Sequence, residues 1–144
     1  MAVPARLERI AVLFAAIPPR IKIEALADYA ARLPPLPDDF DRSRMEEITE
    51  CQSPFAFAVD VEDDATVRLH FSAPREAPPT RGSAAILAEG LNGLPAAAVL
   101  EVPDDFHLSL GLGDVITPLR LRGMGAILVR VKRQIRQRLT KGDS

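Results

Sequence analysis

The sequence has a single cysteine, Cys51, no tryptophan and one tyrosine among its 144 residues. One cysteine cannot form a disulfide within the chain, and it cannot supply the cysteine-rich ligand set of a structural zinc site. A chain of this length buries roughly two thirds of the surface that it exposes when unfolded, so its core needs neither device. The thiol is therefore either an inert core residue or a reactive group, and we expect a reducing compartment, the cytoplasm.

Long hydrophobic runs are also missing. The longest ones, residues 10–19 and 84–87, are shorter than the roughly 18 residues that a membrane span needs. The first run follows a charged segment and ends in Pro18-Pro19-Arg20 without a small-residue cleavage site, which argues against a secretory signal peptide. We therefore expect a protein that has no membrane partner and stays where it is made.

The net charge of −2 conceals an uneven distribution of charge along the chain. Residues 1–119 hold 10 Lys and Arg against 19 Asp and Glu, a net charge of −9, whereas residues 120–144 hold 8 against 1, a net charge of +7. A basic segment can bind nucleic acid, but this one has no aromatic residue that could stack on bases, and the acidic remainder would repel phosphate. We expect no nucleic-acid partner.

Proline positions and hydrophobic spacing predict helices at both ends of the chain. Apolar residues recur at helical spacing over residues 5–16 and again over residues 21–32, and prolines follow both segments. Near the other end, Thr117 and Pro118 are typical of an N-cap and a first helical residue. They predict a final helix that runs to about Leu139.

The central part of the chain predicts an antiparallel sheet. Three extended runs, at residues 46–49, 55–61 and 66–71, follow a polar loop at residues 38–44, and the polar residues 62–65 form a hairpin loop between the last two runs. Helices on one face of such a sheet are the economical arrangement. The predicted fold class is therefore α+β, a small antiparallel sheet of about three strands covered by helices.

Turn residues divide the segment between the sheet and the final helix. Residues 74–79 are predicted to form a loop, with Thr80 as the N-cap of a helix over residues 82–91. Asn92-Gly93 then predicts a left-handed C-cap rather than a hairpin, because helical periodicity precedes it. Short helices are expected at residues 96–100 and 104–110. No repeat, low-complexity tract or linker interrupts the sequence, so we expect a single domain over residues 1–144.

Cys51 is the first candidate for chemistry. It lies between two predicted strands, with polar neighbours and Pro54, which favours a loop. A lone cysteine is usually a small buried hydrophobe, but at a turn beside charged residues the reactive interpretation is equally open. Only a thiolate attacks sulfur or carbon at a useful rate, and the nearby carboxylates disfavour it. A basic group must therefore oppose Glu46, Glu47 and Glu50.

Arg120 is the candidate for that basic group. The apolar residues of the final helix form one stripe, and at roughly 100° per residue Arg120 lies near its centre. The same projection predicts that Arg122, Lys132, Arg133 and Arg136 point away from the body of the protein. The first turn of a helix disfavours a cation, so an inward-facing arginine there needs either a carboxylate partner in a structural salt bridge or a function.

The remaining polar motifs give no site of their own. His70 alternates within a strand and is predicted on its polar face, and His107 lies early in a short helix. A cysteine–histidine pair stays open, since such partners meet in space and not in sequence. The adjacent aspartates lack the spaced ligands of a metal site, and residues 110–114 do not have the pattern of a phosphate loop. We therefore expect this chain to bind no metal and no cofactor.

Six short segments occur in the order and spacing of the SufE family of sulfur acceptors, and the sequence resembles that family from about residue 8 to residue 138. The segments are Arg32-Leu33-Pro34-Pro35-Leu36, Cys51-Gln52-Ser53, Arg81-Gly82, Leu91-Asn92-Gly93-Leu94-Pro95, Leu110-Gly111-Leu112 and Thr117-Pro118-Leu119-Arg120-Leu121-Arg122-Gly123-Met124.

The resemblance implies a function as well as a fold. It implies that Cys51 accepts sulfur from the persulfide of a cysteine desulfurase of the SufS type, stimulates that enzyme, and passes the sulfur to an iron–sulfur cluster assembly scaffold. The pyridoxal phosphate (PLP) of this chemistry would belong to the desulfurase partner. In the family, the arginine of the S/T-P-x-R motif lies near the cysteine loop, and it matches Arg120.

Two other functions stay open. Glu50 stands where the family usually has glycine before its cysteine, which favours a binding or regulatory module that keeps the fold but is inefficient in sulfur transfer. The other function is that of a cysteine-dependent hydrolase or transferase, which would pair Cys51 with His70 or His107. The sequence also leaves open a homodimer and a partner for the basic face of the final helix.

Overall fold

The protein is described by a computed structural model that covers residues 3–49, 54–73 and 78–142. Its elements in chain order are helices α1 (Ala5–Ala16) and α2 (Pro19–Ala31), strands β1 (Glu46–Glu47), β2 (Ala56–Val61) and β3 (Val67–Ser72), and helices α3 (Pro78–Leu91), α4 (Ala96–Leu100) and α5 (Pro118–Gly142). Short 3₁₀ turns lie at Arg42–Arg44, Phe106–Leu110 and Leu112–Asp114. None of the helices in these ranges combines the length and the apolar character that crossing a membrane requires.

The three strands form one antiparallel sheet in the order β1-β2-β3. Phe57 pairs with Glu46 on one side and with Phe71 on the other. Successive side chains of a strand point to opposite faces, so Phe57, Val59 and Phe71 share one face, where all three are buried. They belong to the same core as the apolar side chains of α3 and α5. This arrangement confirms the predicted fold class, a small antiparallel sheet covered by helices.

Two predicted caps are confirmed. Thr117 Oγ1 accepts a hydrogen bond from Arg120 N at 3.3 Å, and Pro118 occupies the first position of α5. At the end of α3, Gly93 has a φ of 84°, the left-handed conformation that glycine adopts without a steric penalty. Each cap could be predicted because it depends on side chains within a few residues of the helix end.

Two helices begin earlier than predicted. α2 begins at Pro19, since proline fits the first turn of a helix, where the amide has no helical partner. α3 begins at Pro78, so Thr80 lies inside the helix, 8% exposed, and is not its N-cap. Of the predicted loop at residues 74–79, residues 74–77 lie outside the described residues.

Two glycines let α3 cross its neighbouring helices at close range. A Cβ atom added at Gly82 would lie 2.5 Å from the carbonyl oxygen of Leu26 on α2. One added at Gly90 would lie 2.6 Å from Cδ1 of Leu7 on α1. Both leucines are buried. Because Gly82 and Gly90 have no side chain, α3 packs closely against α2 and α1, and the three helices form one layer.

Replacing Gly82 by alanine is expected to destabilise the fold by about 1–3 kcal/mol. Overpacking against a backbone oxygen outweighs the roughly 1 kcal/mol by which alanine is preferred over glycine in a helix. Gly113→Ala is the matched control, because an added Cβ there meets nothing within 4 Å. Urea unfolding of both variants measures the difference, and a Gly82→Ala protein as stable as the wild type would contradict the close crossing of α2 and α3.

Candidate functional site

Cys51 belongs to segment 50–53, which lies outside the described residues. The residues that flank this segment are held together in the core. Ile48 N donates a hydrogen bond to Phe55 O at 2.9 Å, and both side chains are 2% exposed. Ile48 follows β1 and Phe55 precedes β2, so the connection between the two strands starts and ends at a hydrogen-bonded, buried pair. The only thiol of the sequence lies between these two positions.

The carboxylate of Glu46 fixes β1 to α5. Its Oε2 accepts a hydrogen bond from Arg130 Nη1 at 2.7 Å, and its Oε1 accepts one from Gln134 Nε2 at 3.1 Å. Arg133 donates to the same carboxylate. Three side chains from two successive turns of α5 thus bond a single residue of a two-residue strand.

Helix α5 also pairs with β2 beyond the end of β1. β1 pairs only with Phe57 and Ala56, which leaves Val59 without a strand neighbour on that edge. Gln134 Oε1 accepts a hydrogen bond from Val59 N at 3.0 Å, and Arg138 Nε donates one to Val59 O at 3.2 Å. These two side chains bond the backbone groups that a neighbouring strand would otherwise bond. A buried backbone group without a partner lowers the stability of the fold by about 1–3 kcal/mol.

The charge of Glu46 is retained in this setting. Partial burial alone would raise the pKa of Glu46, but the hydrogen bonds from Arg133, Gln134 and Arg130 outweigh it and hold that pKa below its ordinary value. Glu46 is therefore ionised at neutral pH and paired with two guanidinium groups. One of the three glutamates near Cys51 in the sequence is neutralised by this pairing.

Arg130 also contacts the last described residue before the cysteine segment. Its Nη2 lies 3.4 Å from Thr49 Oγ1, and Thr49 precedes Cys51 by two residues. The side chain of Arg130 is 21% exposed. Sequence reasoning missed Arg130, because its partner Glu46 is 84 residues away and nothing in the local spacing of α5 indicates the contact.

Arg120, the predicted basic group, lies half-buried in the first turn of α5. Within residues 3–49, 54–73 and 78–142, no carboxylate lies at ion-pair distance from its guanidinium. That part of the chain therefore provides no structural salt bridge for it. Ten residues of helix, an axial rise of about 15 Å, separate Arg120 from Arg130.

The predicted outward orientation of Lys132 is wrong. Lys132 is 5% exposed, and its Nζ donates to Asp104 Oδ1 at 2.6 Å and to the carbonyl oxygen of Val102. A lysine can lay its methylene chain across apolar surface and bring its charge to a partner there, which a helical projection does not show. Arg122 and Arg136 are exposed, as predicted.

The two histidines contact other groups. His70 Nε2 lies 3.0 Å from Asp60 Oδ2. His107 packs on Gly125 of α5, and its Nδ1 is buried without a hydrogen-bond partner among the described residues. Burial lowers the pKa of His107, and the charge of Asp105 offsets this only in part. These contacts give no support to a cysteine–histidine pair. In the described ranges, no group of three or more His, Cys, Asp or Glu could hold a metal ion.

Comparison with known proteins extends these observations. A family model described as "SufE: Fe-S metabolism associated domain" matches residues 8–135. An uncharacterized SufE-like protein of Mycobacterium tuberculosis is 51% identical over 134 residues, which are 93% of this chain and 94% of that protein. SufE-like protein 1 of Arabidopsis thaliana, named as chloroplastic/mitochondrial, is 28% identical over 141 residues, 97% of this chain and 37% of that protein. A hypothetical protein from Thermus thermophilus, solved in solution, matches with a TM-score of 0.84 and 42% identity, covering 96% of this chain and 99% of that one.

Replacing Glu46 by glutamine is expected to make stability less sensitive to acid. The pKa of Glu46 is lower in the folded chain than the ordinary 4.5, so its ion pairs contribute stability above that pH, and the contribution is lost as pH falls through the folded-state pKa. Glu46→Gln should therefore be less stable than the wild type at about pH 7, and the difference should shrink as pH falls below 4.5. Urea unfolding across this range is the measurement, with Glu47→Gln, an exposed neighbour on β1, as the matched control. Parallel curves for Glu46→Gln and the wild type would contradict the prediction.

Proposed function

The chain belongs to the SufE family, which is associated with iron–sulfur metabolism, and on this premise we propose that it is a sulfur acceptor. Cys51 takes sulfur from the persulfide of a PLP-dependent cysteine desulfurase of the SufS type and passes it to an iron–sulfur cluster assembly scaffold. In this role the chain is a sulfur carrier that stimulates the desulfurase and catalyses no reaction of its own. It acts as a single domain, in the cytoplasm, where reducing conditions keep a lone thiol free.

The observation that carries the proposal is the place of the only thiol. Cys51 stands between Ile48 and Phe55, whose backbones are joined and whose side chains are buried, in a chain that matches the family along most of its length. A reactive group in a short connection on a rigid base can meet the thiol of another protein while its anchor points stay in place. A core cysteine would lack that access.

The transfer step needs no redox partner. The thiolate of Cys51 attacks the outer sulfur of the desulfurase persulfide, a new sulfur–sulfur bond forms, and the bond to the desulfurase cysteine breaks. That cysteine leaves as a thiolate, and Cys51 carries the persulfide. One sulfur–sulfur bond replaces another, so no electrons are gained or lost. The transfer rate depends in part on the fraction of Cys51 present as thiolate, which makes nearby charge important.

Charges near Cys51 in the sequence bear on this requirement. Glu46, Glu47 and Glu50 would raise the pKa of a neighbouring thiol, and Arg130 and Arg133 neutralise the first of them. Arg120 is half-buried and has no carboxylate partner in the described ranges, so its charge is available to a thiolate or persulfide. We assign it electrostatic support of the transfer.

The first experiment is a persulfide transfer assay with a SufS-type desulfurase and free cysteine. We expect the intact mass of the wild type to rise by one sulfur atom, and desulfurase turnover to increase. Because the chain has one cysteine, the intact mass assigns the site without digestion, and Cys51→Ser should show neither effect. No added sulfur together with unchanged turnover would contradict the proposal. A thiol that resists titration in the folded protein would favour the regulatory module instead.

Replacing Arg120 by alanine is expected to slow transfer about tenfold at neutral pH. A cation within reach of a thiolate lowers its pKa by about 1 unit or more, and each unit changes the thiolate fraction by about tenfold. Arg122→Ala, which removes an exposed arginine from the same helix, should transfer at the wild-type rate. Single-turnover transfer kinetics and thermal unfolding are measured together. An Arg120→Ala protein that unfolds, but whose folded fraction transfers normally, would indicate a structural salt bridge.

A further inference from the structure

We propose that Arg130 is a positioning residue for sulfur transfer, an inference that rests on the proposed function of Cys51. Its guanidinium ties the end of β1 to α5 and so sets the point from which the cysteine segment leaves the sheet. The contacts of this one side chain with Glu46 and Thr49 carry the argument.

Strand β1 is held by few ladder bonds. A strand of two residues makes too few ladder bonds to fix its own position, and β1 pairs with β2 only through Glu46 and Glu47. Ile48, directly after β1, adds one backbone hydrogen bond to Phe55, and α5 adds the hydrogen bonds that Glu46 accepts at 2.7 Å from Arg130 and at 3.1 Å from Gln134. The helix is 25 residues long and packs on β2, so it provides a rigid reference for the strand.

Arg130 and Arg133 pair with the same carboxylate but differ in exposure and in their other described contacts. The side chain of Arg130 is 21% exposed and that of Arg133 is 51% exposed, so water and salt screen the second pair more strongly. Only Arg130 has a described contact with Thr49, at 3.4 Å. Arg130 therefore holds two points along the chain, whereas the described contact of Arg133 holds one.

Thr49 lies close to the thiol along the chain. Cys51 follows Thr49 by two residues, and two residues of chain span at most about 7 Å. A displacement at Thr49 therefore moves the start of a connection that reaches Cys51 within two residues. A misplacement of about 1 Å in a reacting group can lower a rate by about 10²-fold, so a tether at this point affects transfer.

The test compares four purified variants of the full chain in the transfer assay. We expect Arg130→Gln to lower the maximal transfer rate about tenfold with an unchanged half-saturating concentration of desulfurase, because positioning and not docking is lost. Arg136→Gln, which removes an exposed arginine from the same helix, should match the wild type, and Arg133→Gln should fall between the two. Arg130→Lys keeps the charge and loses the fork geometry, so it should restore the rate in part.

Iodoacetamide alkylation of Cys51 provides a second readout that needs no desulfurase. With Glu46 less well neutralised, the pH at which alkylation reaches half its limiting rate should rise in Arg130→Gln and return toward the wild-type value in Arg130→Lys. If Arg130→Gln does not fold, Arg130→Lys serves as the test, with a wild-type alkylation midpoint and a transfer rate about threefold lower expected.

Three outcomes would overturn the proposal. They are wild-type transfer and alkylation in the Arg130 variants, equal effects of Arg130→Gln and Arg133→Gln, and loss of transfer through a weaker desulfurase affinity alone. If the wild type itself accepts no sulfur, the proposed function fails, and the alkylation midpoint still decides whether Arg130 acts on Cys51.

Discussion

The hydrogen bonds between α5 and the edge of β2 are the constraint on which the sheet depends. Gln134 and Arg138 bond both backbone groups of Val59, and Arg130, Arg133 and Gln134 converge on Glu46. β1 is too short to form that edge by itself. Its position, and the start of the segment that holds the thiol, therefore depend in part on a helix more than 80 residues away in the sequence.

The parts of the fold that could be predicted are those with a local cause. Thr117 and Pro118 indicate the start of α5 because capping chemistry acts within one turn, and Gly93 indicates the end of α3 because few other residues tolerate its φ of 84°. The alternation over residues 66–71 predicts β3, since a strand between core and surface imposes a period of two. Hydrophobic spacing likewise predicts α1 with its observed bounds.

The features that could not be predicted depend on contacts between distant segments. Lys132 points inward because Val102 and Asp104 offer oxygen atoms to its ammonium group. Arg130 likewise contacts Glu46 only because the fold brings the two residues together. The spacing of charges on α5 does not distinguish Arg130 from Arg136, which is exposed. Of the candidate site, the sequence indicates Cys51 and Arg120 through local context and family resemblance. The contacts of Arg130 with Glu46 and Thr49, beside the cysteine segment, could not be predicted, because they join segments that are far apart in the sequence.

Parts of both edges of the sheet are bonded to other segments of the chain. Along β3, Gly93 N donates to Val67 O at 2.9 Å and Asn92 Oδ1 accepts from Leu69 N at 2.7 Å, so the outward backbone groups at the start of this strand are bonded. Along β1, the edge is two glutamates long. Long, uncharged edges are the usual templates for sheet extension and aggregation, and the described strands offer none. Extension of the sheet by a second copy of this chain would therefore meet bonded backbone groups at the start of β3 and a short, charged strand at the opposite edge.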